Sequence, residues 1–380
     1  SRVLGFRSGP KGFLAGRCRE LSSEEVDLYL NQCGVELLGY GSSAEAEAEV
    51  GTEAGIARAA EVCAEHRLDG LVVIAGPKNL RWVAELAAGF LERGCGTTVV
   101  GVPYSKNLNL YVPKYLAITL GFDSGRRMLS EVVGSIAVDS MSSKKYWHFV
   151  RSGEDALTME VALETRCTFT VFNRHRSGQQ VTMRETVDRL VKGVQRRREI
   201  GRPSGVVLIS GQFLAQLPEM AVLKAEILEI CGDAALDDSV GRRTSTMPLA
   251  LEEVEGQLRD EGAKTLFAHL PRAAQMSLIR ERDSSGMPAL PEVEVERILG
   301  RFVQKEVEED SRGAASPQHT FAPRFHAVEL MCNAPLPSNF DCAFGYTLGH
   351  TAAALLCERR TFHLASCIDM HLPVAEWKPC

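Results

Sequence analysis

The stretch that decides the fold is residues 68–103, which read LDGLVVIAGPKNLRWVAELAAGFLERGCGTTVVGVP. The apolar run 71–74 predicts a fully buried strand, residues 79–91 predict an amphipathic helix, and residues 97–102 predict a second strand. A strand, a helix and a strand of these lengths are typical of a parallel pair with the helix packed on the sheet. The stretch therefore predicts an α/β fold.

The same alternation continues on both sides of this unit. Short apolar runs predict further strands at 3–6, 146–150, 169–172, 206–209, 324–328 and 362–367. Amphipathic stretches predict helices at 22–32, 45–65, 116–138, 156–165, 182–200 and 340–357. Apolar strands that alternate with helices of this length predict doubly wound parallel sheets, each covered on both faces.

Changes of composition along the chain predict its domain organisation. Acidic helical stretches and polar loops interrupt the α/β alternation in the middle of the chain. We predict a first α/β lobe at 1–150, the first part of a second lobe at 151–217, a helical insertion at 218–322 and a return to the α/β lobes at 323–380.

Composition and charge exclude several classes of function. The 380 residues carry a net charge of -6, which argues against a general nucleic-acid binder or a binder of anionic membranes. No run of 18 apolar residues predicts a spanning helix, and the first residues do not resemble a signal peptide. The eleven cysteines include no C-x-x-C pair, which favours reduced thiols and a cytoplasmic location.

Four stretches together resemble the phosphofructokinases, specifically the long, pyrophosphate-dependent type. The strings KKYWHF and LPSNFD are specific, the order and spacing agree over nearly the whole chain, and residues 205–209 with 217–219 resemble another family segment. In relatives a first strand and a glycine-rich loop precede the position of Val3, and we expect residues 1–380 to lack them. The four stretches are 68–74, 101–103 with 120–123, 142–151 and 336–341.

This resemblance implies two facing Rossmann-like lobes with a substrate between them, at the carboxyl ends of the strands. It also implies phosphoryl transfer to the C1 hydroxyl of fructose 6-phosphate, a reaction of glycolysis. Such chemistry requires a loop that holds the donor, a magnesium ligand, a base for the hydroxyl and cations for the sugar phosphate.

The donor loop departs from the family pattern. Relatives carry G-G-D after the first quoted strand, with the aspartate near magnesium, whereas residues 75–79 here are AGPKN. Pro77 stands at the position of the acid, and a proline side chain provides no ligand for a cation and its nitrogen no N–H donor. We therefore expect no metal site, and Gly76 and Lys78 remain as candidates for binding a donor phosphate.

The base motif departs as well. Relatives read K-T-I-D-x-D, whereas residues 104–109 here are YSKNLN. Asn107 and Asn109 replace the two aspartates, and an amide cannot accept a proton near neutral pH. Loss of a general base typically costs about 10²–10⁴-fold in rate. Tyr104 replaces a lysine that is expected to contact the donor phosphate.

The sugar-binding motifs show the same pattern. The M-G-R loop of relatives is shortened to residues 151–156, RSGEDA, whose acidic charge would repel a phosphate. Gly211 stands at the glutamate of the family's P-E-G motif. Asn333 replaces the arginine of G-Y-E-G-R that contacts the sugar phosphate in relatives.

Five altered motifs predict a chain that keeps the fold without the reaction. We expect a noncatalytic, regulatory or structural subunit without a cofactor, whose partner is an intact paralogue, a second copy of itself or a larger assembly. Two alternatives stay open. One is an active pyrophosphate- or ATP-dependent 6-phosphofructokinase that uses magnesium, with Lys78, Lys106 or Asp155 in altered roles. The other is a module that senses a sugar phosphate or nucleotide without turning it over.

Overall fold

The computed structural model describes residues 2–32, 34–39, 49–76, 79–105, 116, 118–172, 180–231, 251–283, 286–311 and 321–380. The chain divides into two compact units. Unit 1 comprises Ser1–Met128 and Met331–Cys380, and unit 2 comprises Leu129–Leu330.

Helices form most of the segments that connect the strands. They are α1 (Gly9–Leu14), α2 (Ser23–Asp27), α3 (Val35–Leu38), α4 (Glu53–Glu65), α5 (Leu80–Glu92), α6 (Phe122–Ser143), α7 (Asp155–Thr165), α8 (Met183–Glu199), α9 (Pro218–Cys231), α10 (Leu251–Gln257), α11 (Glu261–His269), α12 (Arg272–Arg280), α13 (Val295–Ser311) and α14 (Asn339–Cys357). The strands are β1 (Leu4–Phe6), β2 (Cys18–Glu20), β3 (Gly70–Ala75), β4 (Thr98–Pro103), β5 (Trp147–Arg151), β6 (Phe169–Val171), β7 (Gly205–Ile209), β8 (Pro323–Ala327), β9 (His363–Leu364), β10 (Cys367–Ile368) and β11 (Lys378–Pro379).

Unit 1 is built on a parallel sheet of strand order β3-β4-β9. One face packs against α4 and α5, and the face of β4 that carries Val100 and Val102 packs against α14. The prediction of a fully buried strand at 71–74 is wrong, because Val72 and Ile74 are 42% and 67% exposed. β3 lies at the end of this sheet, and one face of it is left open by the described residues.

Unit 2 is built on a parallel sheet of strand order β6-β7-β5-β8. Aromatic side chains of β5 and β8, Trp147, Phe149 and Phe325, lie in its core or pack against it. Helix α13 approaches β8 closely at Gly300, where an added Cβ would lie 2.4 Å from the Phe325 ring. The parallel α/β architecture predicted from the sequence is confirmed in both units.

The division between the units differs from the predicted boundary at 150. It falls inside α6, between Met128 and Leu129. Strand β5 pairs with both β7 and β8, so the strand that we expected to close the first lobe lies in the middle of the second sheet. Helices α9 to α13 lie within the predicted insertion at 218–322, and the structure groups them with unit 2.

Several helix boundaries also differ from prediction. The helix expected at 22–32 ends at Asp27, and the one expected at 116–138 begins at Phe122 and runs to Ser143. The helix expected at 45–65 begins at Glu53, and residues 40–48 lie outside the described ranges.

Two observations concern membranes and thiols. In the part of the chain that the structure describes, no helix is long and apolar enough to span a bilayer. Each cysteine in the described ranges has a free thiol.

Candidate active site

Tyr104 follows β4 at the carboxyl edge of the unit 1 sheet. Its backbone N–H donates to the carbonyl oxygen of Ala75 at 3.0 Å, and the N–H of Ser105 donates to Leu120 at 3.0 Å. The Tyr104 ring lies against Gly121, whose φ is 95°. Backbone hydrogen bonds and this ring contact therefore fix Tyr104 at the strand end.

We predict that Gly121→Ala destabilises unit 1 by about 1–3 kcal/mol. The substitution puts a side chain on a residue in the left-handed region, and its Cβ would lie 2.9 Å from Cε2 of Tyr104. Urea unfolding midpoints would measure the effect. Gly134→Ala in α6 is the matched control, because a Cβ there contacts nothing within 4 Å, and equal midpoints for both variants would contradict the prediction.

Asp341 joins the beginnings of α6 and α14 within unit 1. Its Oδ1 accepts the N–H of Gly121 at 2.9 Å, and its Oδ2 accepts the N–H of Ser124 at 2.8 Å and the Ser124 hydroxyl. Ser338 caps α14 by accepting the N–H of Asp341, and its own N–H donates to Ser124 Oγ at 2.9 Å. The LPSNFD string thus satisfies amides at two helix N-termini, which is a structural role.

Arg151 ends β5 at the carboxyl edge of the unit 2 sheet, and its side chain is only 7% exposed. Its Nη1 lies 2.8 Å from Oε1 of Glu292 and 2.9 Å from Oε1 of Glu329. Its Nε lies 3.2 Å from Oε2 of Glu296, on the first turn of α13. Burial raises the pKa of Glu296 above its ordinary value. We call these four residues the Arg151 cluster.

Gly211 follows β7 and lies beside the Arg151 cluster. A Cβ added to it would lie 3.2 Å from Oε2 of Glu329 and 3.3 Å from the carbonyl oxygen of Ser152. The N–H of Gly211 donates to the carbonyl oxygen of Gly153 at 2.9 Å. The Glu329 carboxylate therefore occupies the space into which a side chain at position 211 would extend.

Asp155, at the start of α7, is also engaged within unit 2. The Ser210 hydroxyl donates to its Oδ1 at 2.5 Å, and Gln216 Nε2 donates to its Oδ2 at 3.3 Å. The N–H of Gln212 donates in turn to Ser210 Oγ at 3.2 Å. Both carboxylate oxygens thus accept hydrogen bonds from neighbouring side chains, which gives Asp155 a structural role at the ends of β5 and β7.

A pair of histidines lies on β5 and β8, away from the strand ends. His148 Nδ1 lies 2.9 Å from Nε2 of His326, and the two rings are stacked. Burial lowers the pKa of both, the charge of Arg324 on β8 adds to this, and Asp139 of α6 acts in the opposite direction. The short N···N distance requires one donor and one acceptor, so the pair is stable only when at most one ring is protonated.

We predict that unit 2 loses stability as the pH falls from about 7 to 5. Because both pKa values are lowered on folding, the unfolded chain binds more protons below the ordinary histidine pKa of about 6.5, and the free energy of unfolding falls with pH. Thermal unfolding between pH 5 and 8 would show a smaller dependence for His326→Gln than for the unsubstituted chain. Equal slopes of unfolding temperature against pH for the two chains would contradict the prediction. The difference between their unfolding temperatures at pH 8 gives the cost of the substitution itself.

The structure places some of the predicted site residues and not others. Gly76 and Tyr104 lie in unit 1, beside the ends of β3 and β4, and Gly211 lies beside the Arg151 cluster in unit 2. Asn333 is exposed, belongs to unit 1 and follows the short 3₁₀ helix Glu329–Cys332. The predicted positions outside the described residues are Pro77, Lys78, Lys106, Asn107 and Asn109.

The expectation that no magnesium site is present rests on the sequence of the donor loop. Residues 76–78 of the donor loop are glycine, proline and lysine, which provide no side-chain oxygen. Within the described ranges, no three His, Cys, Asp or Glu side chains converge in an arrangement that could hold a metal.

Two members of the Arg151 cluster, Glu292 and Glu296, were not predicted from the sequence. Both lie in a stretch that was interpreted only as an acidic helical region. A motif comparison cannot find them, because they belong to none of the family strings. The one available signal is Glu296 itself, an acid among apolar neighbours at the buried face of α13.

Comparison with known proteins gives the family. A family model described as phosphofructokinase matches residues 1–239, more than half of the chain. The chain belongs to the phosphofructokinase family. The resemblance inferred from the sequence strings is confirmed by this match.

Curated relatives of this phosphofructokinase-family chain are pyrophosphate-dependent enzymes by name. It is 31% identical over 382 residues to pyrophosphate–fructose 6-phosphate 1-phosphotransferase subunit beta 1 of Arabidopsis thaliana, covering 99% of this chain and 64% of that protein. It is 30% identical to the Treponema pallidum protein of the same activity name, with 99% and 64% covered. Subunit alpha 2 of Arabidopsis thaliana is 26% identical, with 99% and 58% covered. The chain thus spans less than two thirds of the length of these relatives.

Solved structures confirm the fold. Phosphofructokinase from Saccharomyces cerevisiae matches with a TM-score of 0.60 at 14% identity, over 100% of this chain and 40% of that one. The pyrophosphate-dependent phosphofructokinase from Marinobacter aquaeolei matches with a TM-score of 0.58 at 12% identity, over 100% and 73%. At these identities the likeness concerns the fold alone.

Proposed function

We propose that this chain is a noncatalytic member of the pyrophosphate-dependent phosphofructokinase group that acts as a regulatory or structural subunit. The observation that carries the proposal is the arrangement around Gly211. The glutamate that relatives provide for the sugar is a glycine here, and its space holds Glu329, whose carboxylate faces Arg151. The ends of β5 and β7 therefore present an acidic, internally bonded surface where a sugar phosphate would need cations.

The sequence of the donor side supports the same proposal. Asn107 and Asn109 cannot take a proton from a hydroxyl, and Pro77 cannot ligate magnesium. Tyr104, in place of a lysine, is fixed by backbone hydrogen bonds and carries no positive charge. Residues of one catalytic site act as a unit, and loss of one removes most of the activity that the others support. We therefore expect that restoring a single family residue would not restore the reaction.

A second candidate is an active pyrophosphate- or ATP-dependent 6-phosphofructokinase. The observation that favours it is the printed activity of the relatives, which is the same for the proteins of Arabidopsis thaliana and Treponema pallidum. Taken alone, these names support this candidate better than the noncatalytic one. It requires a base and a magnesium ligand from residues other than Asn107, Asn109 and Pro77.

A protein partner is part of the proposal. Relatives of this chain are named as alpha and beta subunits. We expect an intact paralogue, a second copy of the chain or a larger assembly as the partner. Native mass spectrometry of the complex isolated from its source cells would distinguish these three.

A coupled assay tests the catalytic question directly. The purified chain is supplied with fructose 6-phosphate, magnesium and either pyrophosphate or ATP, and the Treponema pallidum relative is assayed in parallel. We expect no turnover from this chain. A rate above about 1 s⁻¹, the low end of ordinary enzymes, would overturn the proposal in favour of the second candidate. Asn107→Asp alone should stay inactive, and recovery of activity in it would show that only the base is missing.

A further inference from the structure

Arg151 occupies a position suited to binding an anion. It stands at the carboxyl end of a central parallel strand, where ligands of open α/β sheets usually bind. A guanidinium also binds carboxylates and phosphates with the same charge-assisted hydrogen bonds, at about 2.7–2.9 Å. The distances of 2.8 and 2.9 Å to Glu292 and Glu329 are those of such bonds. The carboxylates of Glu292 and Glu329 therefore already contact Nη1 of Arg151, to which a phosphate would bind.

The three acids around Arg151 differ in exposure. Glu296 is 2% exposed and belongs to the interior, whereas Glu329 is 17% and Glu292 68% exposed. Glu292 precedes α13 and contacts the guanidinium from the solvent side. An incoming anion would thus have to displace Glu292 first and Glu329 second.

Charge makes this displacement unfavourable. In the described contacts one guanidinium faces three carboxyl groups, and two of them, Glu292 and Glu329, lie where a phosphate would approach. A phosphate monoester carries close to two negative charges at neutral pH. In a half-buried place the repulsion from Glu292 and Glu329 is only partly screened by solvent.

We propose that Glu292 and Glu329 are resident anions that keep Arg151 from binding phosphate monoesters at the carboxyl edge of the unit 2 sheet. This inference rests on the proposed noncatalytic function and gives it a physical device. Arg151 is present at the carboxyl end of β5, and carboxylates of the chain itself occupy its guanidinium.

Binding of inorganic phosphate and of fructose 6-phosphate tests the proposal. Isothermal titration at low ionic strength is carried out on the unsubstituted chain and on the Glu292→Gln/Glu329→Gln double variant. We expect the double variant to bind both ligands at least about tenfold more tightly, since glutamine keeps the shape and removes the charge. Glu294→Gln is the matched control, because Glu294 lies on the same segment but pairs with Arg297 at 3.0 Å, and it should change nothing.

Labelling of Arg151 with phenylglyoxal, read by peptide mass spectrometry, gives a second measurement. We expect little label in the unsubstituted chain, strong label in the double variant and protection by phosphate. If the double variant does not fold, Glu292→Gln alone carries the labelling test, since that side chain is mostly exposed. Equal phosphate affinity and equal labelling in all chains would overturn the inference.

The catalytic assay keeps the two proposals separate. Turnover by the unsubstituted chain overturns the noncatalytic function whatever Arg151 does. The other outcome is that the unsubstituted chain shows no turnover while Glu292→Gln/Glu329→Gln changes neither the phosphate affinity nor the labelling of Arg151. That result overturns the resident-anion inference alone.

Discussion

Replacing Arg151 with methionine should lower the free energy of unfolding by about 3–5 kcal/mol. The substitution keeps much of the side-chain volume but removes the charge that faces Glu292, Glu296 and Glu329. Glu296 would then be a buried acid without a counter-ion, beside a second carboxyl group. Calorimetric unfolding of this variant and of the unsubstituted chain would measure the loss, which should appear in the transition of unit 2.

Two further variants make this result specific. Arg81→Met removes an exposed ion pair with Glu85 and should cost less than about 1 kcal/mol. Arg151→Met/Glu296→Met removes both buried charges and should recover much of the loss, because an apolar pair can replace a buried ion pair. An Arg151→Met chain as stable as Arg81→Met would contradict the interpretation of the Arg151 cluster.

Asp341→Ala is expected to have the second large effect, about 3–5 kcal/mol in unit 1. Its carboxylate accepts hydrogen bonds from the N–H of Gly121 and from the N–H and hydroxyl of Ser124. Each buried donor that loses its partner costs about 1–3 kcal/mol, and the N-terminus of α6 also loses a favourable negative charge. Urea unfolding followed by circular dichroism would measure it.

The neighbouring acid Asp123 provides the matched control. It lies in the first turn of α6, as Asp341 lies in the first turn of α14, but its partner is Arg126, at 3.1 Å and partly exposed. Asp123→Ala should therefore cost less than about 1 kcal/mol. Asp341→Asn should fall between the two, since the amide keeps one acceptor oxygen and turns an N–H₂ group toward donors. Equal midpoints for Asp341→Ala and Asp123→Ala would contradict the capping role.

The sequence predicted the strands and the family well, for physical reasons. The runs at 146–150 and 206–209 are apolar because β5 and β7 are buried in the unit 2 sheet. The run at 71–74 is equally apolar although Val72 and Ile74 of β3 are exposed, so hydrophobic pattern locates these strands but not their burial. The LPSNFD string was identified as a family motif, and the structure gives its local role through Ser338 and Asp341. The cap by Ser338 depends on residues close together in the chain, whereas the contact of Asp341 with Gly121 joins positions that are 220 apart.

Features that depend on distant residues could not be predicted. Arg151 and Glu292 are 141 positions apart, and no local pattern signals their contact. The assignment of β5 to unit 2 depends on its pairing with β8, which only the folded chain reveals. The open face at Val72 and Ile74 likewise follows from which neighbours β3 has and not from its own composition.

The exposed face of strand β3 affects the self-association of the isolated chain in solution. Among the described residues it pairs with β4 alone, and it presents Val72 and Ile74 to water. An exposed aliphatic edge strand promotes association between identical molecules at high concentration. Light scattering of concentrated samples should therefore fall when Ile74 is changed to lysine, a useful property for anyone preparing crystals or titration stocks.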